Sequence, residues 1–236
     1  VSEACRRHGF GHVCELANEW DDVILSVFED NLNPKVAAKG DVGLLFNRGL
    51  FSKNINELNR KKLTVREKNL IEKHPDIYEP DLLTGGPPCQ GHSDLNNHSR
   101  REDPRNALYY RMVRAAKVLN PKAIIIENVS TVVHSREKVV QNSEKILKRM
   151  GYKVKLLMVW GNEFGVPQKR KRHFLVASRI SEPDVSLLDD YRMQKNRTLR
   201  WAIEDLESLA YSSLYDSPAD SDDENKARMQ WLIDND

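Results

Sequence analysis

Asp81-Leu82-Leu83-Thr84-Gly85-Gly86-Pro87-Pro88-Cys89-Gln90-Gly91-His92-Ser93 is the stretch that decides the fold. A short strand, Asp81–Thr84, runs into two glycines that permit unusual dihedrals and two prolines that freeze the turn. Cys89 follows directly on that rigid loop. Strands that end this way belong to open α/β sheets, whose ligands bind at the carboxyl ends of the strands. A free cysteine is most often a small buried hydrophobe. One mounted on a Gly-Gly-Pro-Pro turn at a strand end is instead a candidate nucleophile.

On either side of this stretch, short β-branched runs alternate with longer amphipathic ones, the pattern of βα units. Further strands are expected at His12–Ala17, Ala123–Glu127, Lys153–Trp160 and His173–Ala177. Ala123-Ile124-Ile125-Ile126 is apolar at successive positions, as a central strand covered on both faces would be. Helices are expected at Trp20–Asn31, around Val65–Lys73, at Asn106–Leu119 and at Ser135–Met150. The third places Leu108, Met112, Ala115, Ala116 and Leu119 on one stripe and stops at Asn120-Pro121. The fourth ends in a basic turn with Gly151 as a left-handed cap. The reading is an α/β fold with a mostly parallel sheet flanked by helices. Beyond Ser178 the strand signals fade, and the acidic run Asp216–Glu224 reads as a solvated linker.

With 236 residues the chain is one large domain or two small ones. Apolar residues make up 39% and charged residues 31%, ordinary for a soluble globular protein. Thirty-seven Lys+Arg against thirty-five Asp+Glu leave +2, so a nucleic-acid partner would need a local basic surface. Cys5, Cys14 and Cys89 form neither a disulfide framework nor a zinc spacing, so no metal is expected and a reducing compartment is. The longest apolar runs are far below the ~20 residues that span a bilayer, and no signal peptide is visible. The expectation is a cytoplasmic protein without a membrane partner.

Two other segments carry chemistry. In Ile124-Ile125-Ile126-Glu127-Asn128-Val129 an acid terminates an apolar strand at the sheet edge expected for Cys89. Such a carboxylate is either a general acid or ring-binding group, or the cap of the following helix. In Gln168-Lys169-Arg170-Lys171-Arg172, extended backbone would send Gln168, Arg170 and Arg172 to one face and both lysines to the other. Arginine forks suit phosphate oxygens and carbonyl edges, although a charge run at a strand entry is more often just solvated.

Together, in this order and spacing, the three segments resemble the DNA cytosine-5 methyltransferases. The resemblance rests on Gly86-Pro87-Pro88-Cys89-Gln90, Glu127-Asn128-Val129 and Gln168-Lys169-Arg170-Lys171-Arg172, with Asp103-Pro104-Arg105-Asn106-Ala107-Leu108 between them. It covers roughly residues 1–205 and is of the bacterial restriction–modification type. It implies a Rossmann-like, S-adenosylmethionine-dependent methyltransferase fold acting on cytosine flipped out of double-stranded DNA. Cys89 matches the family's nucleophile and Glu127 the acid that contacts the ring. Arg170 and Arg172 match the pair that engages the base and the adjacent phosphate. Pro88, Gln90, Ser93, Asn128, Val129 and Gln168 fall along the substrate. On the donor side Glu19 matches the ribose-binding acid, Trp20 the residue against adenine, and Leu108 and Pro88 the pocket lining. The adenine edge falls to Asp41 in Gly40-Asp41-Val42 or to Asn54 in Asn54-Ile55, with Asp41 taken here.

The departures are as specific. The family's opening Phe-x-Gly-x-Gly loop is absent, as though the chain began just past it at Val1-Ser2-Glu3. Residues 206–236 then read as a linker and the start of a target-recognition region, entered through Thr198–Leu206. A cognate restriction endonuclease and a second chain supplying the absent motifs are the partners this pattern implies beside DNA. Two alternatives stay open: an RNA cytosine methyltransferase, whose branch typically carries a Cys-Phe-Thr signature absent here, and a non-catalytic nucleic-acid-binding subunit.

Overall fold

The computed structural model describes residues 1–46, 62–88, 108–135, 138–208 and 221–235, in two compact units, Val1–Asn196 and Arg197–Asp236. The first unit begins with helix α1 (Ser2–Arg7), strand β1 (Leu16–Glu19), helix α2 (Asp22–Leu32), strand β2 (Val36–Lys39) and the single turn α3 (Val42–Leu45). It continues through α4 (Val65–Lys73), β3 (Leu82–Gly85), α5 (Leu108–Leu119), β4 (Ala123–Val129), α6 (Val139–Arg149), β5 (Lys153–Trp160), β6 (Lys171–Ser178) and α7 (Leu187–Asp190). The second unit contains α8 (Leu199–Ile203), capped by the Thr198 hydroxyl, and α9 (Asp223–Asp234), capped by the Asp222 carboxylate.

β1 and β2 form a parallel pair, and the other strands a four-stranded sheet in the order β3-β4-β6-β5. The Rossmann-like α/β class with strands mostly in one direction holds, and the larger sheet is mixed through one reversed strand, β6. β3 and β4 are parallel, whereas β6 is antiparallel to both β4 and β5. The cause is connection length. Residues 161–170 are too few for a helical crossover, so β5 turns straight back into β6. By contrast, α6 carries the chain from β4 to β5, which therefore run in the same direction.

Helix α5 organises the core. Tyr109, Tyr110, Val113 and Ala116 pack with Ile124 and Ile126 of β4, Leu175 and Ala177 of β6, and Val139, Val140, Ile146 and Leu147 of α6. Ala115, Val118 and Leu119 face a second cluster that takes in Leu16, Val36, Val42, Leu70 and Ile71. α5 is thus buried around most of its circumference, including Arg111 and Arg114, rather than along a single stripe. Arg114 extends a fork to Glu67 of α4, its Nε 2.7 Å from Oε1, and both side chains are fully buried. Burial pushes the Glu67 carboxyl up, but Arg114 and the Thr64 amide outweigh it and hold it below the ordinary range. α4 itself starts with a capping box between Thr64 and Glu67 and has the expected bounds.

Several boundaries move. β1 starts at Leu16, not His12, and runs to Glu19, because Asn18 donates to the carbonyls of Ala38 and Gly40 and is held in the pair. α2 starts after Asp21, whose side chain accepts from the amides of Val23 and Ile24. α6 starts at Val139 instead of Ser135, since Ser130–His134 is a separate 3-10 turn and the Ser135 hydroxyl accepts from the Val139 amide. Gly151 does adopt the left-handed conformation, at φ +92°. β4 is an interior strand with Ile124, Ile126 and Asn128 buried, while Ala123, Ile125, Glu127 and Val129 on its other face are half-buried.

Candidate active site

Directly opposed residues share a sheet face, and neighbours along a strand alternate. β4 therefore sends Glu127 and Asn128 to opposite faces at its carboxyl end. The Glu127 carboxylate meets Arg172 of β6, Oε1 2.8 Å from Nε. Arg172 stands opposite Val129 in the β4–β6 register and so shares the Glu127 face. Asn128, buried on the other face, donates from Nδ2 to the Pro87 carbonyl at 3.0 Å, and its own Oδ1 accepts from the Val129 amide. That bond ties the turn leaving β3 to the end of β4. On the same turn, a side-chain carbon built on Gly86 would lie 3.4 Å from Glu127 Oε2, so the backbone passes directly beside the carboxylate. At Gly85 it would lie 2.7 Å from the Met112 thioether, a measure of how closely α5 seats on this strand.

Pro87 is half-buried and Pro88 exposed at the end of this turn. Cys89, Gln90 and Ser93 lie outside the described residues, as does Asn54. Three segments far apart in sequence thus meet at one sheet edge: residues 85–88, Glu127–Asn128 and Arg172. Gln168 and Arg170 are exposed on the turn before β6, where the Arg170 carbonyl accepts from the Gly161 amide at 2.8 Å.

The donor-side residues form a second group, at the carboxyl end of the β1–β2 pair. Glu19 lies opposite Lys39, and its Oε1 accepts from the Trp20 amide at 2.7 Å. Trp20 is 71% exposed, so its indole is a free surface and not a core filler. Asp41, two residues past β2, caps α3 by accepting from the Gly43 amide at 2.6 Å. Arg111 comes up beneath it and donates to the Phe46 carbonyl at 3.2 Å. Burial pushes the Arg111 guanidinium down, and the Asp41 charge opposes that. Leu108 is half-buried at the start of α5.

Two residues of this edge were not singled out from the sequence as site candidates. Trp160 ends β5 opposite Lys171, whose ammonium sits 5.1 Å from the indole centroid. His173, 1% exposed, stands between Asn128 and Met158 in the register, and burial pushes its pKa down to about 4. Both owe their settings to cross-strand partners, which the pattern of a single strand does not reveal. Among the described residues no cluster of three potential ligands could hold a metal ion, and no helix is long and apolar enough to cross a membrane.

The profile of a family described as C-5 cytosine-specific DNA methylase matches residues 46–231. The chain is 32% identical over 235 residues to the type II methyltransferase M1.BsuMI of Bacillus subtilis, covering 100% of this chain and 52% of that protein. It is 38% identical over 112 residues to the type II methyltransferase M1.HphI of Haemophilus parahaemolyticus, covering 46% of this chain and 30% of the other. The chain thus spans about half the length of the Bacillus relative. Its fold is shared with a candidate DNA modification methyltransferase encoded within an E. coli prophage, at a TM-score of 0.58 and 22% identity over 86% of this chain and 50% of that one.

Proposed function

The chain belongs to the C-5 cytosine-specific DNA methylase family, and on that premise we propose that it transfers a methyl group to C5 of a cytosine turned out of duplex DNA. The enzyme would be the modification half of a restriction–modification pair, acting on DNA in the cytoplasm beside a cognate endonuclease. Residues 1–205 would form its catalytic domain and 206–236 the entry to target recognition, with a second chain as one source of further motifs.

Cytosine C5 is a poor nucleophile, so the chemistry begins with the Cys89 thiolate adding to C6, which places an electron pair on C5. Glu127 holds N3 and the exocyclic amine and so stabilises the attacked ring. Arg172, gripped by Glu127, engages the base, and Arg170 reaches the adjacent phosphate. S-Adenosylmethionine, when bound, supplies the methyl group as an electrophile on sulfonium. Loss of the C5 proton and expulsion of Cys89 then restore the aromatic ring. The target must leave the stack because C6 is shielded within the duplex. Pro88, Gln90, Ser93, Asn128, Val129 and Gln168 would line the flipped base.

The donor-side residues fit the methyl donor. Glu19 can accept from ribose hydroxyls, the exposed Trp20 indole can lie against adenine, and Asp41 and Leu108 would close the pocket.

The observation that supports this reading best is the convergence of Pro87, Glu127, Asn128 and Arg172, linked by the 2.8 Å ion pair and the 3.0 Å hydrogen bond. It brings Glu127 and Arg172 beside the turn that leads into Cys89. The test is incubation with S-adenosylmethionine and duplex DNA carrying 5-fluorocytosine, followed by intact mass measurement. Fluorine cannot leave as a proton does, so the wild type should be trapped at protein plus DNA plus methyl, and Cys89→Ser should not. No adduct, with donor binding demonstrated, would refute methyl transfer to DNA.

A further inference from the structure

The segment from Trp160 to Arg172 carries one acid and four cations, and two of these charges are matched elsewhere. Glu163 is paired with Arg192 and Arg172 with Glu127. Lys169, Arg170 and Lys171 form no ion pair with a carboxylate among the described residues. Lys169 and Arg170 stand on an exposed turn together with Gln168 and the 43% exposed Val166, and the half-buried Lys171 opens β6 directly after it. Lys171 is moreover held over the Trp160 ring, 5.1 Å from its centroid, and that ring is 39% exposed at the end of an edge strand. A cation–π contact at an exposed site is weak, so it preorganises the lysine without neutralising it. In the register Trp160 and Lys171 share the face of Asn128 and His173, opposite Glu127 and Arg172. The cations thus wrap around the sheet edge from one face to the other.

The geometry points to the Trp160–Lys171 pair, with Lys169, as a clamp for the nucleic-acid backbone beside the active site, the ammonium on a phosphodiester and the indole against the adjoining sugar or base. Three unmatched cations next to an exposed aromatic platform suit a polyanion with planar bases, the combination that nucleic-acid grooves use. An acidic protein surface would use the charges but not the ring. The inference rests on the DNA-methylase reading only for the choice of duplex DNA as ligand.

The test is fluorescence anisotropy with the full chain and an A·T-only duplex, which lacks the target base, across a salt series. Lys171→Gln should reduce the slope of log affinity against log salt by about one and weaken binding uniformly across sequences. Trp160→Leu should weaken binding at least fivefold at unchanged slope, and Trp160→Phe should recover most of the loss. An identical loss on heparin would assign the pair to general polyanion binding, and a loss on duplex RNA alone would assign it to RNA; either result overturns the DNA clamp. So does an unchanged affinity in Lys171→Gln, a substitution outside both core clusters that leaves the core intact even where Trp160→Leu does not fold. Trapping by 5-fluorocytosine is read separately, so an adduct with a flat mutant series sinks the clamp alone. A sensitive series without an adduct sinks the methyl-transfer reading alone.

Discussion

Replacing His173 by leucine should flatten the acid limb of the protein's stability curve. The ring is buried at 1% exposure, and neither nitrogen has a hydrogen-bond partner among the described residues. Burial lowers its pKa from the ordinary 6.5 to about 4. The fold therefore disfavours the imidazolium, and the unfolded chain takes up the proton first. Between pH 6.5 and about 4 the unfolded state binds more protons, so stability falls as pH falls through that window. At 1.36 kcal/mol per pH unit the full loss approaches about 3 kcal/mol, of which about 2 kcal/mol is already spent by pH 5. Near neutral pH the leucine variant should be as stable as the wild type or more so, since an unpartnered buried polar group is exchanged for an apolar one. Urea unfolding followed by circular dichroism at pH 7 and pH 5 measures both chains, and other acid-sensitive groups cancel in the difference. The gap between variant and wild type should widen by about 2 kcal/mol on acidification. Parallel curves would mean that His173 titrates normally in the fold, and the burial argument would be wrong.

Two other outcomes follow from the same contacts. Glu67→Ala strands the buried Arg114 guanidinium and should cost about 3–5 kcal/mol in urea unfolding; a loss below about 1 kcal/mol would mean that the pair is hydrated. Asn128→Ala releases the Pro87 carbonyl and should slow adduct formation on 5-fluorocytosine DNA by about 10–100-fold with stability reduced by only about 1 kcal/mol; an unchanged rate would show that the turn holds its position without Asn128.

What could be read from the sequence was whatever local chemistry decides. The apolar run at Ala123, the helix around Val65–Lys73 and the left-handed stop at Gly151 each appear where expected. Pattern failed where a distant partner settles the matter. Asn18 is polar and reads as the end of a strand, yet the carbonyls of Ala38 in β2 and of Gly40 just past it hold it inside β1. Val36–Lys39, half of it alanine, has weak strand propensity and forms β2 because Leu16–Glu19 is beside it. Arg111 and Arg114 are absent from the apolar stripe expected for α5, but Glu67, 47 residues away, takes Arg114 into the core. The candidate site divides the same way. Its acid, arginines and proline turn were visible as motifs, whereas the Asn128–Pro87 bond, the Trp160–Lys171 stack and the burial of His173 depend on register.

That register is therefore itself part of the site. β4 and β6 are aligned through seven paired residues, from Ala123 opposite Ser178 to Val129 opposite Arg172. Along one face the β4 residues run Ile124, Ile126, Asn128: two anchors in the core and then a polar group whose task is to hold a carbonyl of the next turn. Along the other face Glu127, followed only by Val129, is directed at Arg172. Adjacent positions thus do different jobs because the strand period is two. A slip of one residue would move Ile124 and Ile126 out of the core and exchange Glu127 with Asn128 in a single step. The apolar surface that makes such a slip costly is the same surface that aims the carboxylate, so the packing that stabilises this sheet also fixes the geometry of the site at its edge.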